Sequence, residues 1–330
     1  MVDVYVTRRF YTEATTRLVA AGHTTEINDS SRIMSSSELI QKAKGKDALI
    51  CLLNDRIDAT FLDECPTLRI VANVAVGYDN IDVEGATERN VMVTNTPGVL
   101  TEAAADLTFA LLLSAARRIP EGDRYIRAGE YKGWELMQPQ VGVNVFGKTL
   151  GIVGMGRIGT AVARRAYFGF SMQILYTDPQ PHSETEKEMR AERVDLETLL
   201  EQSDFVSLHA ALTPKTYHII GSAELNRMRK TAILVNVARG ALVDEEALVR
   251  ALKASQILGA AIDVYEREPE VHIGLSSATS FTALAPHLGS ATRETRLKMA
   301  HMAVDNVLAA LDGKTPPNLV NPDVKLGEKI

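Results

Sequence analysis

Thr149-Leu150-Gly151-Ile152-Val153-Gly154-Met155-Gly156-Arg157-Ile158-Gly159 is the stretch that decides how this chain folds. Residues 149–154 read as a short buried strand, and the Ala-rich, apolar-periodic residues 160–166 read as a helix. A second apolar segment, Met172-Gln-Ile-Leu-Tyr176, runs on to Asp178, nineteen residues past Gly159. Each glycine has a task in holding a dinucleotide. Gly154 permits the tight turn, Gly156 lets the backbone approach a pyrophosphate, and Gly159 lets helix and strand pack closely. The helix N-terminus offers free N–H groups and partial positive charge to the phosphates. Asp178 is placed to accept hydrogen bonds from the adenosine ribose. A GxGxxG alone says little; strand, turn, helix, strand and acid in this order predict a dinucleotide site.

Asp178 also bears on which dinucleotide. A 2′-phosphate beside its carboxylate would meet like-charge repulsion, and NADP sites usually offer an arginine there. Pro179, Gln180, Pro181 and His182 follow, with no Arg or Lys before Lys187. The expected cofactor is therefore NAD(H) in preference to NADP(H).

Working outward, short apolar runs alternate with amphipathic stretches almost from end to end. Strands are expected over 2–6, 48–52, 69–72 and 91–93, with helices such as 12–21 and 35–43 between them. A long helix is expected from Thr101 to Arg118, its early Glu102 and Asp106 and late Arg117-Arg118 matching the helix dipole. Beyond the glycine turn, 205–208, 232–236, 256–262 and 282–285 read as strands, and 223–228 and 244–253 as helices. A last amphipathic helix over 292–311 precedes Pro316-Pro317. This alternation predicts an α/β protein with parallel sheets covered on both faces. The fingerprint sits mid-chain, so the preceding hundred or so residues need a sheet of their own, and two α/β domains are expected.

At 330 residues the chain has the length of two ordinary domains, and 45% hydrophobic residues suffice for real cores. A net charge of −6 offers no basic excess for nucleic acid or an anionic membrane. Cys51 and Cys65 form neither a disulfide framework nor a metal quartet, which suits a reducing compartment, and no metal is expected. The start, Met-Val-Asp-Val-Tyr-Val, reads as a strand rather than a signal peptide. The longest apolar run, near 107–116, is too short to span a bilayer. A soluble, cytoplasmic protein is the expectation.

Carbonyl chemistry with a nicotinamide needs an acid/base near neutral pH, a cation for an anionic substrate and a carboxylate to orient the base. Of seven histidines, His287 is the best placed, just after a strand in Ala285-Pro-His-Leu-Gly-Ser290. Loops at strand C-termini are where such sheets collect ligands. Arg239 follows the very apolar Leu234-Val-Asn-Val-Ala238, and Asp263 and Glu268 follow the next strand in Ala261-Ile-Asp-Val-Tyr-Glu-Arg-Glu-Pro269. Singly, His287 could be a capping or core histidine, Arg239 a surface ion-pair partner and Glu268 a solvated loop acid. Their joint placement beside a dinucleotide motif favours chemistry.

Several ordered blocks carry a resemblance. They are Val76-Gly-Tyr-Asp-Asn-Ile-Asp82, Val93-Thr-Asn-Thr-Pro-Gly-Val-Leu-Thr101, Ala105-Asp-Leu107 and Gly147–Gly159. Asn236-Val-Ala-Arg-Gly-Ala-Leu-Val-Asp244, Asp263–Pro269 and Pro286-His-Leu-Gly-Ser-Ala-Thr292 complete the set. The chain resembles the D-isomer-specific 2-hydroxyacid dehydrogenases, most of all the glyoxylate/hydroxypyruvate reductases. The resemblance implies two Rossmann-like domains. One is a flavodoxin-like substrate domain (1–99 and 288–330); the other is an inserted NAD-binding Rossmann domain (100–287). It implies a catalytic triad of Arg239, Glu268 and His287. Cofactor contacts would fall at Gly154, Gly156, Arg157, Ile158, Gly159, Asp178, Val237, Ala238, Asp263 and Gly289, with Asp263 at the nicotinamide carboxamide. The backbone N–H groups of Val76 and Gly77 would bind the substrate carboxylate with Arg239. Leu53, in Cys51-Leu-Leu-Asn-Asp55, reads equally as a wall for a small substrate or as a core residue. A homodimer is implied, with residues 119–146 forming much of the contact.

In that triad, negative charge develops on the carbonyl oxygen as hydride reaches C2 of a 2-oxo acid. His287 as imidazolium would donate its proton to that oxygen and, in oxidation, take it back. Glu268 would bond the other ring nitrogen, fixing the tautomer and favouring the charged form. Arg239 would grip carboxylate and carbonyl oxygens with a planar fork that lysine lacks.

Some features depart from the pattern. Many relatives carry a His-Pro-Asn turn where this chain has Ser276-Ser-Ala-Thr-Ser-Phe281. Trp134 resembles a tryptophan by which a dimer partner closes the reductase site, yet Glu135-Leu-Met-Gln-Pro139 does not match its usual surroundings. Among rivals, formate dehydrogenases pair the His with Gln, against Glu268. Phosphite dehydrogenases keep the triad, but Val76-Gly77 reads as a carboxylate loop with no added Lys. NAD-sensing corepressors also keep it but carry long tails, whereas about 19 residues follow the last expected helix here.

Overall fold

The computed structural model describes residues 2–278 and 280–325, so Thr279, within the unusual 276–281 segment, lies outside the described residues. The chain divides into two compact units, Met1–Leu100 with Thr292–Ile330, and Thr101–Ala291. Both are α/β, and every named strand pair is parallel.

The first unit contains β1 (Asp3–Val6), β2 (Thr24–Ile27), β3 (Ala48–Cys51), β4 (Ile70–Asn73) and β5 (Met92–Thr94), ordered β2-β1-β3-β4-β5. This is the flavodoxin-like order. β3, β4 and β5 are buried at every position, which explains their unbroken apolar runs. The polar, mostly exposed Thr24-Thr-Glu-Ile27 pairs at the sheet edge. The last helix, Arg293–Leu311, returns to this unit and packs against helix Thr12–Ala20 and strands β3, β4 and β5.

The second unit holds β6 (Thr149–Val153), β7 (Gln173–Thr177), β8 (Glu192–Arg193), β9 (Phe205–Leu208), β10 (Ile233–Asn236), β11 (Gly259–Ile262) and β12 (Thr282–Leu284). Their order, β12-β11-β10-β9-β6-β7-β8, is the doubly wound Rossmann arrangement. The direction of winding reverses between β6 and β9, so the glycine turn after β6 stands at the switch point where such sheets bind ligands. Helix Thr101–Ala116 lies across β10, β11 and β12 and against helix Arg157–Arg164. Its buried Ala104, Ala105, Thr108, Leu112, Ala115 and Ala116 allow that close approach.

Several boundaries differ from the sequence reading, and two of them have clear local reasons. The long helix stops at Ala116 rather than Arg118, because Arg118 takes a left-handed φ of 54°. Its guanidinium then turns to Glu121 (Nε to Oε1, 3.0 Å) and lies 5.0 Å over the Phe281 ring. β11 starts at Gly259, not 256, because Ser255 at φ 53° closes a turn over the helix end. A Cβ at Gly259 would fall 2.1 Å from the Phe281 carbonyl oxygen, so only glycine lets β12 enter here. Among the described residues, no helix is long and apolar enough to cross a membrane.

Candidate functional site

The glycine turn is built as its spacing predicts. Gly154 has φ 94°, and a Cβ there would lie 2.6 Å from the Ala210 backbone nitrogen. Gly159 meets the Gly154 carbonyl so closely that a Cβ would fall 2.2 Å away, which is how helix and strand pack tightly. Nothing lies within 4 Å of a Cβ at Gly156, the N-cap of helix Arg157–Arg164. Open space before a helix N-terminus, with Arg157 exposed and Ile158 half-buried beside it, fits a pyrophosphate.

Asp178, just after β7, is tied into this turn. Its Oδ2 accepts the Met155 N–H at 2.9 Å and its Oδ1 accepts the Gln180 N–H at 3.0 Å, with His182 Nε2 3.5 Å from Oδ1. Burial pushes the Asp178 carboxyl up, but the bonds from Gln180 and Met155 outweigh it and hold it below the usual carboxylate range. The site therefore carries a negative charge. Sequence reading found no cation near it; the fold supplies one. Arg193 of β8 donates from Nε to the Asp178 carbonyl at 3.1 Å and from Nη2 to the Pro179 carbonyl at 3.0 Å. Fifteen positions of chain hide this, because it depends on β8 pairing beside β7.

Three adjacent strands carry the residues that the sequence singles out for catalysis. After β10, Asn236 shapes the loop by accepting the Ala238 N–H at 3.1 Å and donating to the Arg239 carbonyl at 2.9 Å. Val237, Ala238 and Arg239 are half-buried there. After β11, Glu268 accepts the Tyr265 N–H on Oε1 at 3.1 Å and meets His287 Nδ1 with Oε2 at 2.9 Å. Burial raises the Glu268 pKa, but the His287 hydrogen bond and charge more than offset it and leave it lowered, with Arg239 adding to the effect. After β12, His287 adopts φ 55°, a conformation uncommon for a side-chain-bearing residue and often found at functional sites.

Asp263 holds that strained turn. Its carbonyl accepts the His287 N–H at 2.8 Å, and its carboxylate accepts Leu288 N–H at 2.7 Å and Gly289 N–H at 2.9 Å. The side chain is fully buried, and burial raises its pKa despite these bonds. A Cβ at Gly289 would reach within 3.7 Å of Val237, so these two meet across the strand ends. Sequence reading singled out Asp263 for the nicotinamide; its grip on the histidine loop appears only once β11 and β12 pair. With Nδ1 committed to Glu268, His287 Nε2 has no hydrogen-bond partner among the described residues. No group of three or more His, Cys, Asp or Glu among the described residues could hold a metal.

Leu53, Val76 and Gly77 belong to the first unit, at the C-terminal ends of β3 and β4. The Leu53 turn is anchored by buried Asp55, which accepts the Leu52 N–H at 2.9 Å and pairs with Arg8 at 3.1 Å. Asn95 Nδ2 donates to the Val76 carbonyl at 2.8 Å and Asn73 Nδ2 to the Gly77 carbonyl at 2.9 Å. The carbonyls are thus fixed, while the two N–H groups make no hydrogen bond among the described residues. Trp134 is 76% exposed in a segment without helix or strand, alongside exposed Tyr131, Leu136, Met137, Val141 and Phe146.

Known proteins resemble this chain in sequence and fold. The family model described as D-isomer specific 2-hydroxyacid dehydrogenase, NAD binding domain, matches residues 109–289. A glyoxylate reductase of Korarchaeum cryptofilum is 54% identical over 291 residues, 88% of this chain and 87% of its own. Among solved structures, a Thermus thermophilus protein aligns with a TM-score of 0.90 at 44% identity, covering 96% of this chain and 99% of that one. An NADPH-dependent glyoxylate/hydroxypyruvate reductase of Sinorhizobium meliloti, in complex with NADP and malonate, aligns at 0.87 and 30% identity, covering 100% and 99%. The matched segment contains the glycine turn, Asp178 and the Arg239, Glu268 and His287 strand ends, and the likeness extends over nearly the whole chain. On both grounds the chain belongs to the D-isomer-specific 2-hydroxyacid dehydrogenase family.

Proposed function

We propose that this protein catalyses the NADH-dependent reduction of a small 2-oxo acid, glyoxylate or hydroxypyruvate, to the D-2-hydroxy acid. The observation that carries this reading is the 2.9 Å contact between Glu268 and His287 Nδ1, which leaves Nε2 facing no protein partner among the described residues. A nicotinamide cofactor, when bound, supplies the hydride. His287 donates its Nε2 proton to the C2 oxygen as charge builds there, and Glu268 holds the ring in the tautomer that can do so. Arg239 binds the substrate carboxylate through its guanidinium. Within the first unit, the substrate contacts we assign are the Val76 and Gly77 N–H groups and the Leu53 side chain. Asp263 orients the His287 loop and meets the carboxamide edge of the cofactor.

Preference for NADH rests on the ionised Asp178 at the ribose position. A second reading, use of NADPH, has Arg193 in its favour, since that cation stands beside the same turn. The protein acts as a homodimer joined through residues 119–146, whose exposed apolar side chains, Trp134 and Met137 among them, need cover. The substrate is a small free acid rather than nucleic acid or membrane, in keeping with the net charge of −6.

The deciding experiment follows NADH and NADPH oxidation with glyoxylate, hydroxypyruvate and pyruvate, and NAD⁺ reduction with phosphite. Turnover with glyoxylate or hydroxypyruvate above pyruvate supports the reading. Phosphite oxidation alone would reassign the chain to phosphite dehydrogenase chemistry. Cofactor binding without any turnover would point to an NAD-sensing corepressor-like protein.

A further inference from the structure

Three loops converge behind Glu268. The first ends at His218, after β9; the second leads from Arg239 to Glu245, after β10; the third is the 265–268 turn after β11. His218 has φ 50°, an uncommon conformation that persists only where the surroundings impose it. Its N–H donates to the Ala241 carbonyl at 2.9 Å, and its ring stacks on Tyr217 with centroids 4.0 Å apart. So held, its Nε2 meets Glu266 Oε1 at 3.1 Å. Glu245 is buried and accepts the Glu266 N–H on Oε1 at 2.6 Å. The loop between them packs directly on the turn, because a Cβ at Gly240 would fall 1.9 Å from the Tyr265 carbonyl carbon.

Glu266 is thus gripped at its carboxylate, by His218 Nε2 and by the Glu245 N–H at 3.5 Å, and at its backbone N–H by the Glu245 carboxylate. Glu268 stands two residues further on, in the same turn, bonded to Tyr265 N–H and His287. Tyr265 in turn donates its hydroxyl to the Ala285 carbonyl at 3.0 Å, two residues before His287. Two like-charged carboxylates, Glu245 and Glu266, sit side by side, and His218 gives one of them a donor. His272 and Arg267 are further titratable groups acting on Glu245.

We infer that His218 and Glu245 are positioning residues that clamp Glu266 and so set the Glu268 carboxylate against His287. This rests on the reading of His287 as the acid/base. Both act through the 265–268 turn, where their hydrogen bonds to Glu266 fall. A slack turn lets Glu268 drift from Nδ1, which costs ring orientation and the support of the imidazolium while leaving the glycine turn untouched.

The test is steady-state reduction by the purified full-length protein for His218→Ala, His218→Gln and Glu245→Ala. For His218→Ala, kcat should fall about tenfold, within what a small misplacement remote from the chemistry can cost. The KM for NADH should stay within about twofold, since uniform binding is unaffected. The falling limb of the reductive pH profile should move to lower pH. Gln can still donate to Glu266, so His218→Gln should restore both kcat and limb. Should His218→Ala not fold, Glu245→Ala must show the same split. An unchanged kcat and pH limb in the alanine variants, or a loss that Gln does not repair, overturns the inference. If His287→Ala is inactive while the clamp variants behave as wild type, only this inference fails; if His287→Ala stays active, the acid/base reading fails with it.

Discussion

Glu268 Oε2 lies 2.9 Å from His287 Nδ1, although nineteen positions of chain separate the residues. They meet because β11 and β12 are adjacent parallel strands whose C-terminal loops leave the same end of the sheet. The contact commits Nδ1 to the carboxylate and leaves Nε2 without a hydrogen-bond partner among the described residues.

His287→Ala should lower reductive kcat by about 10²–10⁴, the usual cost of losing a positioned acid. NADH affinity, read by quenching of cofactor fluorescence, should be unaltered because the glycine turn is intact. A variant keeping more than about a tenth of wild-type kcat contradicts the role. Glu268 is held below the usual carboxylate range, so it stays ionised across neutral pH and does not shape the profile there. Reduction consumes a proton, so its rate should fall as pH rises from about 6 to about 9 while oxidation of the hydroxy acid climbs. A flat reductive profile contradicts this.

Asp178→Ser should relax cofactor choice. The change removes the carboxylate that repels a 2′-phosphate and leaves Arg193 within reach of the same turn. The NADH-to-NADPH ratio of kcat/KM should drop at least about tenfold, which corresponds to about 1.4 kcal/mol of differential binding. An unchanged ratio would mean that Asp178 plays no part in selection.

His209 predicts a specific acid sensitivity. It follows β9, backs the Gly154 turn and bonds Ser207 through Nε2 at 2.8 Å. Burial drives its imidazole down to about 4. The folded state therefore keeps it neutral where the unfolded chain, at an ordinary pKa of about 6.5, takes up a proton. Its contribution is complete above about pH 6.5 and is lost as pH falls toward about 4, by at most about 1.4 kcal/mol per unit. His209→Gln should lose less urea resistance than wild type between about pH 7 and about pH 5. Parallel losses would contradict the assignment.

Much of this was legible in the chain alone. The glycine spacing with its flanking strand and helix announces a dinucleotide turn, because close backbone approach admits only glycine and the period of apolar residues changes from strand to helix within a few positions. Buried parallel strands read plainly for the same reason: with both faces covered, every position of β3, β4, β9, β10 and β11 is apolar or enclosed. Strand-end location also singled out Arg239, Glu268 and His287 together, since loops after such strands are where these sheets collect ligands. Helix and strand ends were harder, as with Arg118 and Ser255, because a single left-handed residue is set by what packs beside it.

Long-range pairings lay beyond local pattern altogether. Asp263 gripping the N–H groups of Leu288 and Gly289, Arg193 reaching the Asp178 loop, and His218 meeting Glu266 all join residues whose separation in sequence carries no period or spacing rule. Composition and short-range order determined the elements and the kind of chemistry. Which side chains share a hydrogen bond was decided by the strand order of the folded sheet, because only that order brings loops from different crossovers within hydrogen-bonding reach of one another.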